Sequence, residues 1–154
     1  MKTNYILIGL VSVLVSLSGQ TYKNVRAKQD GLSITVQYDM AGKLFRGDQV
    51  ALTYSLDNGK SYSIIKNADG DIGPNVLPGK NNEVNWLLID KDFIIGKIIN
   101  FRMVTIPEGM VYVDGGQFTR TGIDSKKKEK TEHSIVIGSF LMDETEVTQR
   151  EYRH

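Results

Sequence analysis

His133, Asp143, Glu144 and Glu146 are the side chains whose types could gather around a metal ion. Imidazole nitrogen and carboxylate oxygen are common ligands, but a metal site needs several of them converging. His133 stands in the alternating stretch His133-Ser134-Ile135-Val136-Ile137 and is expected to be a satisfied strand-edge residue. Asp69, Asp71 and Asn75 offer oxygens of the kind that hold calcium. Their spacing completes no calcium loop and lacks a closing bidentate carboxylate, so a solvated turn is expected. Trp86 could serve as a sugar-stacking platform, yet Val84 and Leu88 share its parity in an alternating run, which predicts a core position. No residue is therefore assigned a catalytic, cofactor-binding or metal-binding role.

The missing chemistry is equally informative. Zero cysteines among 154 residues exclude disulfides, thiolate zinc sites, iron–sulfur clusters and a cysteine nucleophile within this sequence. A formal charge of +1 gives no long-range field to gather nucleic acid or an anionic membrane, so neither is an expected partner. The run Lys126, Lys127, Lys128, Glu129 and Lys130 reads as a solvated loop. With 40% hydrophobic residues and only three prolines, the chain can still build a packed core.

The elements that would position these residues are strands. Leu32, Ile34, Val36 and Tyr38 alternate with polar residues; Val50, Leu52, Tyr54 and Leu56 repeat the pattern, followed by Val84, Trp86 and Leu88, and by Ile99, Phe101, Met103 and Thr105. Turn signals separate the runs at Ala41-Gly42-Lys43, Asp57-Asn58-Gly59, Asp69-Gly70-Asp71 and Leu77-Pro78-Gly79-Lys80-Asn81-Asn82. No helical periodicity intervenes. Roughly six or seven antiparallel strands predict a small β-sandwich of immunoglobulin or fibronectin type III character.

One turn is more specific. Ser55-Leu56-Asp57-Asn58-Gly59-Lys60-Ser61-Tyr62 resembles an Asp-box, a hairpin in which the aspartate caps the turn, the glycine takes the left-handed conformation and the aromatic packs back. Such boxes occur in proteins of unrelated activity, so this one speaks for fold.

The first residues read as an export signal: Lys2 is followed by an apolar run over 5–17, interrupted only by Gly9, Ser12 and Ser16. Cleavage fits after Ser18 or after Gln20. The run is shorter than the roughly 20 residues that span a bilayer. A soluble mature protein without a membrane span is expected in the periplasm, on the cell surface or in the medium. No cysteine is present to accept a lipid.

At Pro107-Glu108-Gly109 the character changes. Met110-Val111-Tyr112-Val113 predicts a short strand, Gly115-Gly116 a bend and Gln117-Phe118-Thr119 a second strand; His133 to Ile137 and Phe140-Leu141-Met142 follow. Thr148 and Glu151 have the spacing of a capping box that begins a helix. This succession, Gly109-Met110-Val111-Tyr112-Val113, Gly115-Gly116-x-Phe118, His133-x-Ile135-x-Ile137, Phe140 and Glu146-Val147-Thr148 with Tyr152, resembles the opening of the formylglycine-generating enzyme, or sulfatase-modifying factor, family. The β-domain before it looks like the sandwich that precedes this domain in many exported Bacteroidetes proteins. Thr119-Arg120-Thr121-Gly122 stands where the family usually has Met-Gly, and Thr131 where it usually has proline.

The resemblance implies three segments: a signal peptide over 1–18, a β-sandwich over 19–106, and over 107–154 the start of a formylglycine-generating-enzyme-like, C-type-lectin-like α+β domain. Active family members oxidise a sulfatase cysteine to formylglycine with a copper-assisted cysteine pair late in the domain; calcium is a further cofactor in full-length members. Neither cofactor is expected in this chain, which is expected to stop before a complete catalytic site. Three roles follow from the resemblance: part of an exported oxidase acting on a sulfatase, part of a silent relative such as a gliding-motility or type IX secretion scaffold, or a sandwich module that binds protein or glycan.

Overall fold

The computed structural model describes residues 7–9, 19–88, 96–123 and 130–148. Its elements, in chain order, are β1 (Leu7–Gly9), β2 (Thr21–Asp30), β3 (Ser33–Ala41), β4 (Gln49–Ser55), β5 (Ser63–Ile64), β6 (Ala68–Gly70), β7 (Gly73–Pro74), β8 (Gly79–Leu87), β9 (Ile98–Ile106), β10 (Met110–Val113), β11 (Gly116–Ile123), β12 (Lys130–Ile137) and β13 (Phe140–Asp143). No helix occurs among the described residues, so the chain is mainly β. Residues 1–6 and 10–18 of the expected signal peptide, most of the lysine-rich loop, and the helix expected after Thr148 lie outside them.

Two sheets face each other. One runs β2-β3-β8-β6, and the other runs β1-β9-β4-β5 with β7 also on β4. All pairings are antiparallel except the short parallel β1–β9 ladder. Alternation decides which side chains meet between them. Ile34, Val36, Tyr38 and Met40 of β3, Val84 and Trp86 of β8 with the following Leu88, Val50 and Leu52 of β4, and Ile99, Phe101 and Met103 of β9 form one buried cluster. Leu32 departs from the predicted run: it is 67% exposed, because the chain is already turning through Gly31 at φ 59°.

Two asparagines adjust the register. Tyr22 and Val25 of β2 are both buried although three positions apart, which a regular strand forbids. Asn24, at φ 52°, forms a bulge between Lys23 and Arg26 that turns both side chains inward. Asn81, at φ 59°, accompanies the register break where β8 joins β3, so β8 begins at Gly79, inside the expected turn.

β4 is buried on both faces. Opposite its core-facing positions, Ala51, Thr53 and Ser55 are covered too, and so is Asn100 of β9. Thr53 and Arg102 are cross-strand partners on this outer side, as are Ser55 and Asn100. Facing Thr53 and Arg102 are Tyr62 and groups from residues beyond Pro107. Those residues make two separate two-stranded ladders, β10–β13 and β11–β12. Much of their apolar surface stays in water: Phe118, Ile135, Ile137, Phe140 and Met142 are all exposed.

Candidate functional site

Trp86 is 2% exposed and lies against the rings of Tyr54, at 5.3 Å, and Phe101, edge-on at 6.2 Å. It is a core residue. The Asp71 carboxylate accepts the Glu83 N–H at 2.8 Å, and the Asp71 N–H donates to the Glu83 carbonyl at 2.7 Å, so this side chain fastens a turn to β8. Asp69 lies on β6, opposite Asn85, and Asn75 takes a left-handed conformation at φ 64°. His133 is exposed on β12, opposite Arg120. Asp143 ends β13, and the Glu144 N–H donates to the Gly109 carbonyl at 2.8 Å. Among the described residues, no three histidine, cysteine, aspartate or glutamate side chains gather as a metal-holding group.

The polar groups that do converge are centred on the Asp-box. The Ser55 hydroxyl donates to Asp57 at 2.7 Å and accepts the Gly59 N–H at 2.8 Å. Asp57 also accepts the Ser61 hydroxyl at 2.7 Å and the Ser61 N–H at 3.0 Å. Asn58 and Gly59 supply the left-handed turn at φ 59° and 81°, and Tyr62 folds back so that its hydroxyl would lie 3.1 Å from a Cβ at Gly59. Burial disfavours the Asp57 charge, but the hydrogen bonds from Ser61, Ser55 and the Lys60 amide outweigh it and hold the carboxyl at about 2.

Because this depressed value belongs to the folded protein, the stabilisation is complete above the ordinary carboxylate pKa, near 4. It disappears as pH falls from about 4 through about 2. Asp57 is partly exposed, and solvent screening reduces the effect to about 1 kcal/mol. Urea unfolding of Asp57→Asn should therefore lose that increment at pH 7 and show a flatter stability profile between pH 4 and pH 2. An unchanged profile would mean that Asp57 titrates alike in both states.

Next to the box, Arg102 of β9 places its guanidinium 4.0 Å from the centre of the Tyr62 ring. Its Nη2 donates to the Tyr112 hydroxyl at 3.1 Å and to the Ser139 hydroxyl at 3.0 Å. Sequence patterning did not single out Arg102, Asp114 or Ser139, and it placed Tyr112 only in a short strand. An arginine between Phe101 and Met103 is ordinary on the outward face of an alternating strand and gave no signal.

Residues 99–154 match the family of sulfatase-modifying factor enzyme 1-like domains. The match covers less than half of the chain and begins inside β9, the strand that pairs along β4. No curated protein and no solved structure matches the chain. The paired-cysteine copper chemistry that the resemblance implies does not fit the residues present, since the sequence has no cysteine.

Proposed function

We propose that the chain is an exported, non-catalytic unit in which an immunoglobulin-like β-sandwich carries the opening strands of a sulfatase-modifying-factor-like domain. The observation that carries this reading is the family match over residues 99–154, whose first strand, β9, also pairs along β4 in a sandwich sheet. The sandwich is thereby the support on which the family segment begins. Removal of residues 1–18 or 1–20 would deliver this unit to the periplasm, the cell surface or the medium.

Exposed Phe118, Ile135 and Phe140 favour a protein partner over a glycan, while Trp86, enclosed in the core, offers no stacking platform for a sugar. A sulfatase is the partner that the family resemblance suggests. Conversion of its cysteine is a separate matter, because without a cysteine this chain supplies no thiolate to engage copper or a substrate thiol.

The test is to express residues 1–154 with export machinery, weigh the exported product, and incubate it with copper and a sulfatase-derived cysteine peptide. The expected product begins at Gly19 or Thr21 and leaves the peptide unoxidised. An exported protein that retains Met1 would refute the processing, and reproducible aldehyde formation would refute the non-catalytic assignment.

A further inference from the structure

Gly115 has no positive φ, so backbone freedom does not explain a glycine there; space does. A Cβ at this position would lie 2.7 Å from the Ser139 nitrogen, 2.8 Å from the Ile137 oxygen and 2.9 Å from the Ser61 Cβ. The first two atoms belong to the β12–β13 connection and the third to the Asp-box. Gly115 is thus the point where three chain segments come within backbone contact. Adjacent Gly116 has nothing near its missing Cβ, so the crowding is specific to one of the two.

Hydrogen bonds converge on the same place. The Gly115 N–H donates to the Tyr62 carbonyl at 3.0 Å, and Asp114 accepts the Ile64 N–H at 2.8 Å. Arg102 reaches Tyr112 on one side and Ser139 on the other while stacked on Tyr62. The described partners of Arg102 are all neutral, and its Nε is buried without a hydrogen-bond partner. A planar, stacked fork with two neutral acceptors fixes orientation rather than compensating charge.

From these contacts we infer that the Asp-box hairpin and Arg102 form a docking seat on the outer face of the sandwich. Its partner is this chain's own strand ribbon, engaged through the segment Tyr112-Val113-Asp114-Gly115 and the Ser139 turn. Asp57 is a positioning residue for the seat: its bonds to Ser55 and Ser61 hold the turn that presents the Tyr62 carbonyl and ring. The seat lies on the sheet face that carries Thr53, the cross-strand partner of Arg102, which is buried where a free-standing sandwich would expose it to water. This assignment does not depend on export or on enzymatic silence.

The test uses the full chain with three substitutions, read by amide hydrogen exchange. Gly115→Val should lower protection of the Ile64 amide about tenfold or more, because the residue that accepts its hydrogen is displaced. Arg102→Lys, which keeps charge but loses the planar fork, should lower it less. Gly116→Ala should leave it unchanged. Amides of β3 and β8, on the opposite sheet, should keep their protection in every variant. The seat is refuted if Ile64 protection survives Gly115→Val, if Gly116→Ala lowers it equally, or if β3 and β8 lose protection in step with Ile64.

Discussion

Replacing Trp86 with alanine is expected to cost about 3–5 kcal/mol of stability, the loss typical of truncating a large buried aromatic. The residue is 2% exposed and touches rings from the opposite sheet, Tyr54 and Phe101, so its removal opens a void spanning both layers. Collapse of that void is resisted on both sides, since Val84, Leu52 and Ile99 are held in paired strands. The edge of the indole reaches a small cleft of about 230 Å³ lined by Tyr54, Ile65, Lys66 and Asn67. If that edge were the working surface, the substitution would abolish ligand binding and leave folding nearly intact. Chemical denaturation decides: a loss below about 1 kcal/mol would restore the platform reading.

The place of Trp86 was legible because the chain alternates regularly from Val84 through Trp86 to Leu88, and these three apolar residues share one parity. The same holds for Ile99, Phe101 and Met103, and for Val50 and Leu52. Legibility failed where backbone geometry changed the parity. In β2, Tyr22 and Val25 fall on opposite faces of an ideal strand, and only the left-handed Asn24 bulge brings them together. A period-two pattern cannot show that, so β2 was missed. Burial of Ala51 and Thr53 was hidden for another reason: alternation predicts one wet face, whereas the outer face of β4 is covered by segments distant in sequence.

The Asp-box was legible in its capping aspartate, left-handed glycine and back-packed tyrosine because its determinants are local: serine, aspartate, asparagine and glycine lie within a few residues of each other. The seat was not, because Arg102, Tyr112, Gly115 and Ser139 have no shared local pattern. Gly115-Gly116 was visible as a bend, but that only its first glycine is crowded depends on where Ser61 and Ser139 arrive.

Hydrogen exchange along the chain is expected to fall into tiers. Amides of β3, β4 and β8 should be the slowest, since these strands are paired on both sides for part of their length and, together with β9, enclose the apolar cluster. Residues beyond Pro107 have a different balance. β10–β13 and β11–β12 are two-stranded ladders, which are marginal in water without a covered face. Phe118 is 53% exposed, Val136 50% and Met142 52%, so their burial contributes little to offset the entropy of ordering the backbone. Each of these strands has a single strand partner among the described residues, and an edge of that kind is an open route to association. The seat limits this instability near itself. Gly115, bonded to the Tyr62 carbonyl just before β11, should exchange more slowly than Thr119 or Arg120 within that strand. The far end of the ribbon should exchange within seconds, orders of magnitude faster than the sandwich. Uniform protection from β2 to β13 would show instead that the whole chain unfolds as one cooperative body, with the exposed apolar ribbon stabilised by self-association. Dilution would then restore fast exchange beyond Pro107.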